Sequence, residues 1–236
     1  MTTNWSMSQG SIWHIHISTC ISCLSWSVHI QELCKKLSRA NGILSKLRYN
    51  APFNTCLQVY YAIFYSQLIY GCNVWGLTTD ENLHKIEVLQ RKCVRILKFA
   101  PFNSHTNPLF IDLKFLKVKD IINVHRLKLV FDYFTNSLPI DLTSLFTLSS
   151  EIHTTDLHLN SARKNLLHIS KINTETYGNK SIKHQCATLW NEIFKNGMSI
   201  NSDPLKNLSV TDIKSSHHLK RVLKKHYLFK YSLEVE

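Results

Sequence analysis

The pair of helix patterns between Thr55 and Phe99 constrains the fold more than any other feature of this sequence. The first pattern is uncharged and rich in aromatic residues, and it ends at Gly71. The second begins at Asp80 and places apolar residues on one face of a helix and cations on the opposite face. Because both helices must bury their apolar faces against a neighbour, this stretch predicts helices packed on helices.

The composition also favours helices. The chain has 236 residues, of which 44% are hydrophobic, but only 6 Gly and 5 Pro. Sandwiches and barrels of short strands need many tight turns, and these turn-forming residues are too few for them. We predict a mainly α fold, an irregular helical bundle, with a small α+β part at the C-terminal end. In that part, residues 165–169 have the pattern of a short strand.

Apolar residues at helical spacing predict further helices on both sides of the central stretch. Between residues 30 and 48 a single buried stripe is formed by Leu33, Leu37, Ala40, Leu44 and Leu47. The same criterion predicts helices over residues 120–134, over residues 139–146 with Pro139 as the start, from Ser181 to Ile193, and within residues 209–227.

These patterns divide the chain into four regions. We expect a divergent leader at residues 1–23, disordered or poorly packed, followed by a helical region at residues 24–146. A Ser/Thr-rich linker at residues 147–160 then leads to a small basic region at residues 161–236.

The leader contains a strand-like alternation at residues 12–17 and four residues of the types that bind zinc. These are His14, His16, Cys20 and Cys23. Structural zinc sites usually draw pairs of ligands from two separated elements, whereas these four residues form one short cluster. We therefore expect no metal site.

The segment between Arg48 and Asp80 carries no charged residue. Its length would suffice for a membrane span, which requires about 20 mostly apolar residues. Polar residues are spread along it, namely Asn54, Gln58, Ser66, Gln67 and Asn73. A buried core helix followed by a turn explains the segment better, and a membrane-associated protein stays the third alternative.

The chain is strongly basic, with 28 Lys and Arg against 16 Asp and Glu and a formal net charge of +12. Such a balance suits a polyanion, with nucleic acid ahead of an anionic membrane surface. Cations gather opposite the apolar stripe of three predicted helices. These candidate nucleic-acid-binding residues are Lys35, Arg39 and Lys46, then Arg91, Arg95 and Lys98, then Lys220, Arg221, Lys224 and Lys225. A merely solvated surface is the competing interpretation, since a helix dipole alone favours cations near a helix C-terminus.

Short phrases along the sequence resemble one protein family. They include Leu24-Ser25-Trp26, Tyr60-Tyr61, Leu68-Ile69-Tyr70-Gly71-Cys72, Val74-Trp75-Gly76, Leu89-Gln90-Arg91-Lys92, His105-Thr106-Asn107-Pro108-Leu109-Phe110 and Leu189-Trp190-Asn191. From about Leu24 to the C-terminus, the chain resembles the segment that follows the palm in reverse transcriptases of LINE-type, non-LTR, jockey-like retrotransposons. The resemblance implies a helical thumb-like region that descends from an RNA-directed DNA polymerase of a transposable element.

Polymerase chemistry depends on clustered carboxylates that hold two metal ions. In the family that this sequence resembles, the palm carries these carboxylates, partly in an aromatic-Xaa-Asp-Asp motif. This sequence contains no Asp-Asp pair and no Gly-rich loop that would cradle phosphates. We therefore expect no enzyme activity, no catalytic residue, no cofactor and no small-molecule substrate.

The main functional hypothesis is a polymerase remnant that lacks the catalytic palm and at most holds RNA or DNA by its backbone. The alternative is a structural helical remnant without activity. The 7 cysteines are irregularly spaced, which predicts free thiols in a reducing, intracellular location, either cytoplasmic or nuclear. The sequence leaves the oligomeric state open.

Overall fold

A computed structural model describes residues 26–152, 166–174, 178–196 and 213–234. Helices dominate these residues, and no regular strand occurs among them, which confirms the mainly α prediction. The predicted leader strand at residues 12–17 and the candidate zinc ligands lie outside the described residues.

Eleven α-helices are defined within the described ranges. They are α1 (Ser27–Leu47), α2 (Phe53–Val59), α3 (Ser66–Ile69), α4 (Cys72–Trp75), α5 (Asp80–Leu97), α6 (Asn107–Leu113), α7 (Val118–Phe134), α8 (Ile140–Thr143), α9 (Ser149–Ile152), α10 (Ile182–Asn196) and α11 (Ser216–Leu233). The predicted long helices are all present. The closing helix is displaced toward the C-terminus relative to the predicted residues 209–227.

The described residues form two compact units. The first unit contains the residues up to Gly71 together with Thr78–Phe102, and three helical stretches build it. The long helices α1 and α5 pack directly on each other, and the stretch from α2 to α3 packs against α1. The predicted apolar stripe of α1 is largely confirmed, because Leu33, Leu37, Ala40 and Leu44 are buried, whereas Leu47 is half-buried.

A π-helical segment, Tyr60–Tyr65, joins α2 to α3 without a break in the helical path. The wider π turn shifts the helix register, and the rings of Tyr60 and Phe64 then stack in the core with centroids 5.5 Å apart. Burial raises the pKa of the Tyr60 hydroxyl, while a hydrogen bond with Gln90 of α5 acts in the opposite direction. One stripe of this uncharged stretch is buried, Cys56, Tyr60, Phe64 and Leu68, so only one of its faces belongs to the core. Tyr61 and Tyr70 of this stretch remain exposed.

The second unit contains Cys72–Leu77 and the chain from Asn103 onward. Its centre is α7, on which α4, α10 and α11 pack, and α6 packs on α11. The inner face of α7 is a buried stripe of Val118, Ile121, Ile122, Val124, Leu127, Val130 and Phe131. At the end of α7, the ring of Phe134 stacks on that of Trp190 in α10 at a centroid distance of 5.1 Å.

The short strand predicted at residues 165–169 is represented in the described residues by one isolated antiparallel bridge, between Leu148 and Leu167. The side-chain amide of Asn191 also pairs with the backbone of Leu167. Its Nδ2 donates to the Leu167 carbonyl at 2.8 Å, and its Oδ1 accepts from the Leu167 N–H at 2.9 Å. The described residues of this region form no regular sheet, so the α+β C-terminal part stays a prediction. The linker predicted at residues 147–160 also stays one, because most of it lies outside the described residues.

Across the part of the chain that the structure describes, no helix combines the length and the apolar character needed to cross a membrane.

Candidate nucleic-acid interface

Two hydrogen bonds fix the relative direction of α1 and α5 in the first unit. Asn41 Nδ2 donates to the Leu89 carbonyl at 3.0 Å, and Arg48 Nη1 donates to the Ile96 carbonyl at 3.1 Å. Both bonds join residues 48 positions apart in the chain, so the two helices run parallel. The C-terminal ends of α1 and α5 therefore lie at the same end of the unit.

Basic side chains gather where the two helices end. We call this group the basic pole; it consists of Lys46, Arg48, Arg95 and Lys98. Lys46 belongs to the last turn of α1 and Arg95 to the last turn of α5, while Arg48 and Lys98 are the residues that follow each helix. Each helix C-terminus carries a partial negative charge, and two parallel helices place these charges side by side. Cations at this end are thus stabilised by the fold itself.

Acidic residues of the first unit lie toward the other end. Among its described residues the acids are Glu32, Asp80, Glu81 and Glu87, all in the N-terminal halves of α1 and α5. In the C-terminal halves of α1 and α5, and in the residues just after each helix, every charged residue is a cation. These cations are Arg39, Lys46, Arg48, Arg91, Lys92, Arg95 and Lys98. The parallel arrangement turns this local asymmetry of each helix into a charge asymmetry of the whole unit.

Exposed aromatic rings are interleaved with the cations of the basic pole. The guanidinium carbon of Arg48 lies 4.6 Å from the ring centroid of Tyr49 and 4.6 Å from that of Phe99. The Arg95 guanidinium lies 5.9 Å from the Phe102 centroid, and Lys98 Nζ lies 5.5 Å from that of Phe53. All four contacts fall within the range of cation–π attraction. Each of these rings is exposed to solvent, from 45% for Phe53 to 86% for Phe102.

The backbone at the end of α5 presents one of these rings. Phe99 N–H donates to the Ile96 carbonyl at 3.3 Å, and Ala100 N–H donates to the Arg95 carbonyl at 3.0 Å, which is the Schellman pattern of helix termination. Phe99 occupies the left-handed position of this motif with φ 51°, where glycine is the usual residue. An aromatic side chain at this position is strained, and its ring rests on Arg48.

The first two groups of predicted nucleic-acid-binding residues are placed differently. Lys35, Arg39 and Lys46 are exposed along α1, and Lys35 Nζ forms an ion pair with Glu32 at 2.6 Å. Arg91, Arg95 and Lys98 are half-buried rather than fully exposed. Lys46, Arg95 and Lys98 belong to the helix ends that form the basic pole.

The third predicted group lies on α11 in the second unit. Arg221 and Lys225 are exposed, whereas Lys220 and Lys224 are half-buried, so this group does not face outward as one surface. Burial lowers the pKa of Lys224, and the nearby charge of Lys114 lowers it further. Burial, with the charges of Lys220 and Lys128, lowers the pKa of His125 to about 4. Half of this group therefore lies against the body of the unit.

Sequence reasoning missed Arg48, Tyr49, Phe53, Phe99 and Phe102 as candidate site residues. A signal for most of them was available, since aromatic residues adjoin cations in Lys46-Leu47-Arg48-Tyr49 and in Arg95-Ile96-Leu97-Lys98-Phe99-Ala100-Pro101-Phe102. What the sequence did not reveal is that these two segments meet.

Within the described ranges, no group of three or more His, Cys, Asp or Glu residues is placed to hold a metal ion. Five cysteines of these ranges are free thiols: Cys34, Cys56, Cys72, Cys93 and Cys186. Burial raises the pKa of the Cys72 thiol to about 11 and that of Cys186 to about 12, while Arg126 acts in the opposite direction on both. These two thiols are therefore protonated and unreactive near neutral pH.

Comparison with known proteins finds relatives among retrotransposon polymerases. The probable RNA-directed DNA polymerase from transposon X-element of Drosophila melanogaster is 29% identical over 106 residues, which covers 43% of this chain and 12% of that protein. The RNA-directed DNA polymerase from mobile element jockey of the same species is 30% identical over 101 residues, or 41% of this chain and 11% of that protein. Its counterpart in Drosophila funebris is 30% identical over 87 residues.

The aligned part corresponds to only about a tenth of the length of these relatives. No family model matches the chain, and no solved structure matches it. About two fifths of this chain is therefore related in sequence to a segment of the RNA-directed DNA polymerases of jockey-type, non-LTR retrotransposons.

Proposed function

We propose that this chain holds nucleic acid through the phosphate backbone and does not itself polymerise it. The observation that supports the proposal is the basic pole, where the parallel helices α1 and α5 place Lys46, Arg48, Arg95 and Lys98 at the same end of the first unit. A cluster of cations drawn from two elements matches a phosphate backbone, which repeats its charge along its length. The relatives are named as RNA-directed DNA polymerases, which supports nucleic acid as the polyanion.

Binding through phosphates has a measurable signature. Contacts to phosphates position a protein without reading bases, so affinity should depend little on sequence. The logarithm of the binding constant should fall with the logarithm of salt concentration, by about 0.7 to 0.9 per phosphate neutralised. Micromolar or weaker affinity near physiological salt is expected for such contacts.

The test is a salt titration of the full chain with mixed-sequence RNA and duplex DNA. The variant Arg91→Gln/Arg95→Gln/Lys98→Gln should show a shallower salt dependence by about two to three phosphates. A matched control, Lys85→Gln/Lys119→Gln/Lys171→Gln, removes the same number of charges from exposed positions outside the candidate groups. Equal changes in both variants would show only a net-charge effect, and absence of binding at low salt would end the proposal.

The absence of polymerase activity is tested by primer extension with purified protein, with and without Mg²⁺. The basis for expecting no activity is the lack of an Asp-Asp pair in this sequence. Extension above background that co-purifies with the chain would contradict it. An intracellular location, cytoplasmic or nuclear, belongs to the same proposal and is checked by imaging of the tagged protein.

A structural helical remnant without activity is the second candidate. The buried apolar residues described in both units favour a stable helical protein, whether or not it binds anything. A protein that melts cooperatively but binds no RNA or DNA at low salt would favour this candidate.

A further inference from the structure

Beyond backbone contact, the aromatic rings at the basic pole point to a more specific ligand. We propose that the first unit binds unpaired nucleotides, whose bases stack on an aromatic platform made of Tyr49, Phe53, Phe99 and Phe102. This inference rests on the proposed function, because it assumes that the basic pole engages phosphates. It adds that the preferred ligand is a single strand rather than a duplex.

Exposure of the rings is the first argument. Tyr49 is 68% exposed, Phe99 56% and Phe102 86%, although large aromatic side chains usually contribute most when buried. They share one end of the unit with four cations, and each ring is within cation–π distance of one of them. Single-strand binding surfaces combine these two features, a positive surface for phosphates and aromatic rings for bases.

Geometry is the second argument. Arg48 is held in place from both sides, since Nη1 donates to the Ile96 carbonyl at 3.1 Å and Nη2 donates to the Tyr49 hydroxyl. The rings of Tyr49 and Phe99 pack edge to face around it, with centroids 5.5 Å apart and an interplanar angle of 81°. The rings of Tyr49 and Phe99 are therefore preorganised around Arg48, which lowers the entropic cost of binding a base there.

The strained backbone at Phe99 is the third argument. Glycine would end α5 at this position without strain, yet the chain places an aromatic ring there with φ 51°. Strained residues of this kind concentrate at binding and active sites. In this position the strain presents the Phe99 ring beside Arg48.

Charge decides which occupant suits the platform. An apolar peptide would also cover exposed rings, but it carries no negative charge for the cations of the pole. A duplex would satisfy the cations but keeps its base faces stacked inside. Unpaired nucleotides offer both phosphates and free base faces.

The experiment compares three fluorescently labelled polyanions with the full chain: a 12-nucleotide oligothymidine, a 12-base-pair duplex, and heparin, which has charge but no bases. The test variant is Phe99→Gly/Phe102→Ala, which keeps the Schellman geometry and removes two rings of the platform, one 56% and the other 86% exposed. The matched control is Tyr70→Ala, which removes a ring that is 61% exposed outside the platform.

We expect the test variant to bind oligothymidine at least tenfold more weakly, since one lost stacking contact is enough for a factor of that size. Affinity for heparin and for the duplex should change less than twofold, and the salt dependence should stay the same. The control should bind all three ligands like the parent chain.

If the test variant bound heparin and oligothymidine equally more weakly than the parent chain, or bound both as tightly, the inference would be overturned while the proposed function stands. No binding of any polyanion by the parent chain would overturn both. Sedimentation showing a dimer that dissociates in the test variant would assign the rings to self-association and so overturn the inference as well.

Discussion

Removal of the Tyr231 hydroxyl is a sharp test of how the last helix is attached to the second unit. Tyr231 is buried on α11, and its hydroxyl donates to the Asp120 carboxylate in the first turn of α7. The same oxygen accepts from the Lys117 N–H at 2.9 Å, and Lys117 Nζ lies 4.4 Å from the ring centroid. In the variant Tyr231→Phe the ring remains, but both hydrogen bonds to its hydroxyl are lost.

The expected loss of stability in Tyr231→Phe follows from the contribution of each of these two hydrogen bonds. A hydrogen bond to a charged acceptor contributes about 1.5–3 kcal/mol, and a neutral one about 1 kcal/mol. Asp120 is half-buried, so its carboxylate is partly resolvated after the change and the upper end of the range does not apply. We therefore expect the free energy of unfolding to fall by about 3 kcal/mol at pH 7 in Tyr231→Phe, as the sum of these two terms.

The loss of stability in Tyr231→Phe should depend on pH, because the Asp120 carboxyl titrates. Burial raises the pKa of this carboxyl, and the Tyr231 hydrogen bond partly offsets the rise. A raised folded-state pKa means that the folded chain holds the proton more tightly, so stability falls as pH rises above about 3.8. Loss of the offsetting bond enlarges this fall, so the Tyr231→Phe deficit should shrink as pH decreases from 7 toward 4.

The assay is urea denaturation followed by circular dichroism, with the difference between variant and parent taken at each pH. The difference matters because other groups titrate too. His125, for example, has its pKa lowered by burial to about 4, so it removes stability as pH falls below about 6.5. Such contributions are common to both proteins and cancel.

Asp120→Asn supplies the control background, because it removes the titrating group. In that background Tyr231→Phe should have a smaller effect that does not change with pH. The reasoning is refuted by a loss below about 1 kcal/mol at pH 7, which is the contribution of one neutral bond alone. It is equally refuted by a pH dependence that persists without the carboxylate.

Four further predictions concern stability and thiol reactivity. Gly76→Ala should lower the free energy of unfolding by about 2 kcal/mol in a urea titration, because the new Cβ would lie 2.4 Å from the Cys72 carbonyl oxygen and 2.9 Å from an Ile122 methyl group. Gly42→Ala should instead raise the free energy of unfolding by about 0.5–1 kcal/mol, because Gly42 lies in mid-helix and a Cβ there meets nothing within 4 Å. Phe99→Gly should change the free energy of unfolding by less than about 1 kcal/mol, because relief of the left-handed strain offsets the lost ring contact and the greater freedom of the unfolded chain; a loss above 2 kcal/mol would mean that the ring is a core element. In the folded protein at pH 8, iodoacetamide should modify Cys34 well before Cys93 or Cys186, whose burial raises the pKa of each thiol; peptide mapping that finds equal rates would contradict this order.

The sequence by itself determined the helices. The apolar spacing in Leu33, Leu37, Ala40 and Leu44 predicted a buried stripe, and those residues are buried in α1. The same held for α5, α7 and α10, because a helix forms from contacts between residues three or four positions apart. Such periodicity is local, and a single chain segment carries all of it. The family resemblance was likewise carried by short local phrases, and the comparisons confirm it over about two fifths of the chain.

Only the tertiary structure decided which helix ends meet. The sequence placed cations near the ends of α1 and α5, but it contained no signal that these helices run parallel and so combine Lys46 and Arg48 with Arg95 and Lys98. It also predicted Lys220 and Lys224 on an outward face of α11, whereas the packing of α11 within the second unit leaves both side chains half-buried. Helix direction and packing depend on long-range contacts between apolar surfaces, which spacing along one helix does not encode. The basic pole and its rings therefore exist only in the folded chain.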